Sequence, residues 1–297
     1  MPEGPEIRRE ALAIADAIVD EPLVRIEYRV PRLARRARTL RNATVTSVSS
    51  RGKAMLIAYS NGLTHYSHNQ LYGKWRVLAV ARLARLLDRR ERSVRVVLQT
   101  ATHAAVLLSA TQIELLTRTE LAKHPFLAKL GPDVLDRSTT VRTVKSRLRK
   151  PEFARRSLAA LLLDQSFLAG LGNYLRSDIL HVTGLRHALR PADLSDEAIT
   201  ALARATLEIP RLSLKTGGAT NDPAMVRKLE HEGVRPGARR FRVYGREAMP
   251  CWTCETPIQR VDVAGRGIYF CSTCQPSARL QEKPVRRNAG ARTRRSV

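Results

Sequence analysis

A chain of 297 residues, 43% of them hydrophobic, is long enough for two cores, or two and a small module, and its 52 Lys and Arg against 27 Asp and Glu give a net charge of +25. Such an excess repels itself unless a polyanion neutralises it, which makes nucleic acid the leading partner and an anionic membrane the second. The longest apolar stretch, near Leu158 to Leu163, stops at Asp164 and excludes a membrane-spanning helix; with no charged-then-apolar signal at the start, a cytoplasmic protein that uses its four cysteines for metal is expected.

Residues 3–19 read as a helix in which Ile7, Ala11, Ile14 and Ile18 cover one face. From Leu23 to about Gln112 the pattern changes to short β-rich runs such as TVTSVSS, AMLIAYSNG, LTHYSH and VRVVLQT, with Asn61-Gly62 as a hairpin turn. This region reads as a β-sandwich or barrel. Helical signals run from Thr117 to about Leu214, where Ser195 is the N-cap of a helix expected to end at Pro210. Two helical patterns meet around Gly170 and Gly172, and Lys215–Arg240, rich in Gly, Pro and charge, reads as loop. A short cysteine module follows. The end of the chain, with six basic residues and no acidic one in Lys283–Val297, reads as a disordered tail.

Cys251-x2-Cys254, sixteen residues, then Cys271-x2-Cys274 is the spacing of a four-thiolate zinc site built from two knuckles on a hairpin. With every coordination position filled by protein, the expected Zn2+ is structural and the module needs it to fold. The second feature is the start, Met1-Pro2-Glu3-Gly4-Pro5-Glu6. Removal of Met1 would leave Pro2 as a secondary amine that can attack an aldehyde-like carbon; an α-amino group titrates at roughly 7.7 to 8.0, far below lysine, and the Glu3 carboxyl beside it could move protons. Taken alone, these six residues read as the first turn of a helix.

The segments MPEGPEIRR, RGKAMLIAYSNGLTHYSHNQLYGKWRV, HPFLAKLGPDVLD, LLLDQSFLAGLGNYLRSDIL and the four-cysteine module, in that order, resemble the formamidopyrimidine-DNA glycosylase and endonuclease VIII family. The resemblance runs from Met1 to about Cys274, and the first two segments are most similar to its bacterial endonuclease VIII branch. It implies an α+β, multidomain fold: an N-terminal helix on a β-sandwich over 1–116, a helix–two-turn–helix domain over 117–240, a zinc finger over 241–276 and the basic tail over 277–297. It also implies a monomeric DNA glycosylase and abasic-site lyase that flips an oxidised base out of damaged double-stranded DNA and cleaves the strand by β,δ-elimination.

Carried over residue by residue, Pro2 matches the nucleophile, Glu3 the proton donor beside it, and Lys53 the proton donor of β-elimination, whose charge would depress the Pro2 amine pKa. Gln70, Leu71 and Tyr72 match the side chains that fill the gap left by the flipped nucleotide, and Asn173 matches a phosphate contact. Arg266, rather than Arg260, keeps the family's spacing to Cys271 and matches the arginine that reaches the lesion phosphate. Lys129 stands where endonuclease VIII has a phosphate-contacting arginine, so a bidentate grip becomes a point contact. The segment Lys215–Arg240 departs in length, the stretch Arg82–Arg95 differs, and the tail is extra; the last two are read as non-specific DNA affinity. Oxidised pyrimidines are the expected substrates. A purine-directed glycosylase, an enzyme that mainly cleaves abasic sites, and a non-catalytic zinc-containing DNA-binding protein are the alternatives. His65 and His68 are expected to pack rather than bind metal, and Asp164 and Gln165 to organise the helix pair.

Overall fold

The computed structural model describes residues 2–263 and 265–277. Helix α1 (Gly4–Ile18) opens the chain, and Ile7, Ala11, Ile14 and Ile18 are all buried, as their spacing requires. Eight strands follow: β1 (Arg25–Tyr28), β2 (Val45–Arg51), β3 (Ala54–Tyr59), β4 (Thr64–His68), β5 (Lys74–Ala79), β6 (Val94–Gln99), β7 (His103–Leu108) and β8 (Gln112–Leu116). They form two antiparallel four-stranded sheets, ordered β1-β6-β7-β5 and β2-β3-β4-β8. Helix α1 packs against strands of both sheets, and its apolar stripe shares one core with Val45, Met55, Ile57, Leu98 and Leu107. Each of its fully buried isoleucines is worth about 1.5–3 kcal/mol relative to exposure, so the helix that carries Pro2 and Glu3 is anchored rather than peripheral. The Asn61-Gly62 turn joins β3 to β4, with the Tyr59 amide donating to the Leu63 carbonyl at 2.9 Å.

The stretch after β5, where the sequence offers Arg82–Arg95, folds as helix α2 (Leu83–Arg90). Leu83, Leu86 and Leu87 seat it on Val94, Val97, Val106 and Leu108.

Beyond β8 the chain is helical, with α3 (Val141–Leu148), α4 (Asn173–Val182) and α5 (Asp196–Lys215) around a second core that includes Phe153, Phe167, Leu175, Ile179 and Leu202. Ser195 caps α5, its hydroxyl accepting from the Ala198 amide. The expected stop at Pro210 does not occur, because α5 continues to Lys215. Proline removes one amide donor from the ladder, yet Ile209, Pro210 and Ser213 are buried and the Ser213 hydroxyl pairs with Tyr174 at 2.9 Å. Packing outweighs the lost bond. The loop expected over Lys215–Arg240 likewise contains helix α6 (Pro223–His231), started by Asp222 as N-cap and Pro223 in the first turn.

The turn between the two helical patterns is held by Gln165, whose amide donates to the Leu163 and Leu171 carbonyls and accepts from the Gly170 amide. Asp164 pairs with Arg156 and accepts from the Ser166 amide. Gly170, at φ +100°, takes a backbone conformation open to glycine, and its carbonyl accepts from the Gly4 amide at 2.8 Å. Strands β9 (Gln259–Val263) and β10 (Arg266–Phe270) form a terminal hairpin, and Ile268 of β10 is part of the second core. No helix among the described residues is long and apolar enough to cross a membrane. Apart from Ser277, the expected basic tail lies outside the described residues.

Candidate active site

Six separate segments converge on one cavity of about 560 Å³. Pro2, Glu3 and Glu6 come from the start of α1, Lys53 from the β2–β3 turn, Gly172, Asn173 and Tyr174 from the start of α4, and Arg266 from β10. Leu71 borders it from the β4–β5 loop, and Arg240, Phe241 and Tyr244 complete the wall.

Glu3 shows why these segments meet. Helix α4 begins at Asn173 with Gly172 as N-cap, so no side chain of its own satisfies its first amides. The Glu3 carboxylate does this instead, accepting from the Tyr174 amide at 2.8 Å and the Leu175 amide at 3.4 Å. A methyl group on Gly172 would lie 2.2 Å from the Glu3 carboxyl carbon, so glycine is needed for this approach. A carboxylate at the N-terminus of a helix is also favoured by the helix dipole. Only 4% of Glu3 is exposed, and burial raises its pKa against the opposing pulls of Lys53 and the Tyr174 amide.

Lys53 is 7% exposed, which removes it from the class of ordinary surface lysines. Burial lowers its pKa, Glu3 holds part of it up, and Arg266 lowers it further. An acid with a raised pKa and an amine with a lowered one, facing one cavity with Pro2, are suited to exchanging protons.

Gln70, Leu71 and Tyr72 lie at the β4–β5 turn, with Leu71 62% and Tyr72 80% exposed. Internal packing of Leu71 and Tyr72 is therefore excluded, and Leu71 borders the cavity. Gln70, with a left-handed backbone at φ +49°, accepts from the Thr111 hydroxyl at 2.8 Å. Asn173 lines the cavity, but its amide donates to the Gly267 carbonyl at 2.8 Å and its oxygen accepts from the buried Arg176, so it ties α4 to the strand bearing Arg266. Arg266 is exposed and faces the cavity, whereas Arg260 pairs with Asp262 at 2.7 Å. Lys129 is exposed at the end of the short helix Pro125–Ala128 and is not among the cavity's lining residues. His65 accepts or donates at 3.0 Å to the Tyr28 hydroxyl and His68 packs edge-on to Phe126, so both pack rather than form a metal site.

The sequence reading missed Glu6, Tyr174, Arg240, Phe241 and Tyr244. Glu6 accepts from the Glu3 amide at 3.0 Å and from Arg240 at 3.1 Å, and Tyr174 donates to it. The backbone of Arg242–Tyr244 is held by buried Asp178, which accepts from all three amides at 3.0 to 3.1 Å. Glu6, three residues after the N-cap Glu3, was a usable signal for a carboxylate folding back on the helix start; the aromatic wall depends on long-range packing.

The ligand atoms of Cys251, Cys254, Cys271 and Cys274 lie within 4.8 Å of one another. Sulfurs of a tetrahedral zinc thiolate site, with Zn–S near 2.3 Å, sit about 3.8 Å apart. The Cys251–Cys274 and Cys254–Cys271 separations of 3.9 and 3.4 Å fit that geometry and exclude disulfide bonds. The cluster can hold a metal ion.

Residues 1–117 match the family described as Formamidopyrimidine-DNA glycosylase N-terminal domain, and residues 130–223 match the Formamidopyrimidine-DNA glycosylase H2TH domain. The chain is 45% identical over 275 residues to an Endonuclease 8 of Klebsiella pneumoniae, covering 93% of this chain and 100% of that protein. An Endonuclease 8 of Escherichia coli is 44% identical over the same span. The chain belongs to the formamidopyrimidine-DNA glycosylase family. A crystal structure of the Lactococcus lactis Fpg with DNA containing an abasic site superposes with a TM-score of 0.74 at 23% identity, covering 93% of this chain and 100% of that one. That likeness establishes the fold of a formamidopyrimidine-DNA glycosylase. The roles of individual side chains in this family member rest on the cavity itself.

Proposed function

We propose that the chain is a base-excision-repair DNA glycosylase and abasic-site lyase that acts on oxidised bases, pyrimidines foremost, in damaged duplex DNA of the cytoplasm. The observation that carries the reading is the convergence of Pro2, Glu3, Lys53 and Arg266 on one cavity beside the projecting Leu71. Its division of labour follows the units 1–116, 117–240 and 241–276, with DNA lying in the basic cleft where the first two meet.

Once Met1 is removed, the Pro2 nitrogen carries a lone pair that bonds to the sugar carbon C1′ of a flipped nucleotide. The glycosidic bond breaks and its electrons leave with the base, which takes up the N–H proton of Pro2 and so restores the lone pair on that nitrogen. Protonated Glu3 gives its proton to the ring oxygen as the sugar opens, leaving an iminium between Pro2 and C1′. The ionised Glu3 then takes a C2′ proton, and the 3′ phosphate leaves with the electrons of the C3′–O bond, its departing oxygen protonated by Lys53. A second elimination releases the 5′ side, and water frees Pro2. Arg266 and, after exchanging its present partner, Asn173 hold the lesion phosphate, while Lys129 makes a more distant point contact. Leu71 fills the vacated space, flanked by the Gln70 amide and the Tyr72 ring. A Zn2+ ion on the four cysteines would fix the hairpin that presents Arg266 and take no part in the chemistry.

Borohydride reduction in the presence of duplex DNA carrying an oxidised pyrimidine or an abasic site should trap a covalent complex, with intact mass confirming loss of Met1. No adduct from processed protein, or an undiminished one after Pro2→Gly, refutes the assignment.

A further inference from the structure

Tyr72 stands between two concave surfaces. One runs from Pro2 and Glu6 along α1 to Leu71 and Tyr72. The other, of about 490 Å³, begins at Tyr72 and continues between β5 and α2, away from Pro2. Its polar rim is formed by Lys74, Arg76, Arg89 and Arg90, and its floor by Val77, Leu78, Leu86 and Leu108. Lys74 and Arg76 flank buried Trp75 on β5, so strand alternation sends both cations to the same face. Arg89 and Arg90 come from the last turn of α2, which its leucines fix to the sheet.

Charges of one sign usually mark a solvated face, and arginines in a last turn also offset the helix dipole. Two observations argue for more. Among the described residues none of these four cations has a carboxylate within ion-pair distance, and no Asp or Glu lines the groove although Asp88 and Glu91 are adjacent in sequence. The groove is also continuous, through Tyr72, Lys74, Arg76 and Val77, with the surface that leads to Pro2. Four convergent cations, none in an ion pair and only Lys74 with a carboxylate, Glu10, close enough to act on it, form a receptor for anions spaced along a polymer.

We infer that the groove between β5 and α2 binds the phosphodiester backbone of the duplex on the far side of Tyr72 from Pro2. The inference rests on the reading of Leu71 and Tyr72 as a wedge, since the wedge places stacked duplex at the mouth of the groove. It assigns Arg82–Arg95 a definite contact where diffuse affinity was expected.

The test uses the full chain and duplexes holding a tetrahydrofuran abasic analogue, extended by different lengths on either side of it. Affinity is followed by fluorescence anisotropy over a salt series. For the wild type, affinity should rise as the duplex is extended on one side only. The double variant Arg89→Gln, Arg90→Gln should lose that gain, and its slope of log affinity against log salt should fall by up to about 1.8, or 0.9 for each lost phosphate contact. Arg89→Lys, Arg90→Lys should restore most of the slope, which a merely misfolded variant would not permit. An unchanged slope and length dependence in the Gln variant overturns the inference. Borohydride trapping of the wild type on an abasic-site duplex of the same lengths reports separately on Pro2: trapping without length dependence sinks only the groove, and length dependence without trapping sinks only the Pro2 reading.

Discussion

Substitution Gly172→Ala tests whether the close approach of Glu3 to α4 serves catalysis. The added methyl would stand 2.2 Å from the Glu3 carboxyl carbon and 2.4 Å from Oε1, far inside ordinary contact distance. Relief requires the carboxyl to retreat by about 1 Å or more, since unstrained carbon contacts begin near 3.5 Å. The amides of Tyr174 and Leu175, at 2.8 and 3.4 Å, then lose their acceptor in a buried setting. Each unsatisfied amide costs about 1–3 kcal/mol, so a destabilisation of about 2–6 kcal/mol is expected in thermal melts. A displaced general acid should also slow base excision by about 10²-fold or more. The assay is single-turnover excision of an oxidised pyrimidine, run as a cycle with Glu3→Gln and the double variant. If Gly172 acts through Glu3, the double variant is no slower than Glu3→Gln alone, because both changes remove the same contribution. Additive losses, or a wild-type rate for Gly172→Ala, would refute the reasoning.

Glu10, on α1 and hydrogen-bonded by the Asn69 amide at 2.9 Å, is pushed up by burial to about 7. The folded state therefore holds this proton more tightly than the unfolded chain, and stability present below about pH 4.5 is lost as pH climbs through 7. Glu10→Gln should melt like the wild type in acid and above it at pH 8, by at most about 3 kcal/mol and less after solvent screening; a lower melting point at pH 8 contradicts this. Asp178→Asn replaces an acceptor of three amides by a group with one accepting oxygen, so melting should fall by about 1.5–3 kcal/mol per charge-assisted bond lost, with weaker excision as Phe241 and Tyr244 loosen. A wild-type melt would show that the clamp is dispensable. Stripping metal from the cysteine cluster with a chelator should lower DNA affinity and trapping together while the sandwich keeps its strand signal in circular dichroism, with zinc restoring both; unaltered trapping in metal-free protein would remove the hairpin from the mechanism.

Local rules made much of this molecule legible. The four-residue recurrence of Ile7, Ala11, Ile14 and Ile18 predicted the buried face of α1, and the cysteine spacing predicted a cluster that the fold does close. Pro210 and Asp222-Pro223 mark where the reading failed, in opposite ways. At Pro210 a local breaking signal lost to tertiary packing, since the buried Ile209–Ser213 surface outweighs one missing hydrogen bond. At Asp222-Pro223 a sound local starting signal was hidden by the glycines and charges around it. The wall of Arg240, Phe241 and Tyr244 had no local signature, because its position is set by Asp178, more than sixty residues earlier in the chain.

Glu3 joins these two kinds of information. As a residue in a six-residue motif it is an ordinary helix-start carboxylate, and within α1 it does face Glu6 in that manner. Its side chain, however, serves the first turn of a different helix, 170 residues away, where Gly172 withholds any cap of its own. The same bonds that dock α1 on α4 thus bury the carboxyl and hold it beside Lys53 and Pro2. Burial alone would leave the group neutral, whereas the Lys53 charge and, after it, the amides of α4 pull it toward the ionised form. Their opposition is what leaves its proton available near neutral pH. An interface built this way cannot loosen without also retuning the acid, so variants that weaken α1–α4 docking should shift the pH profile of excision as well as its rate.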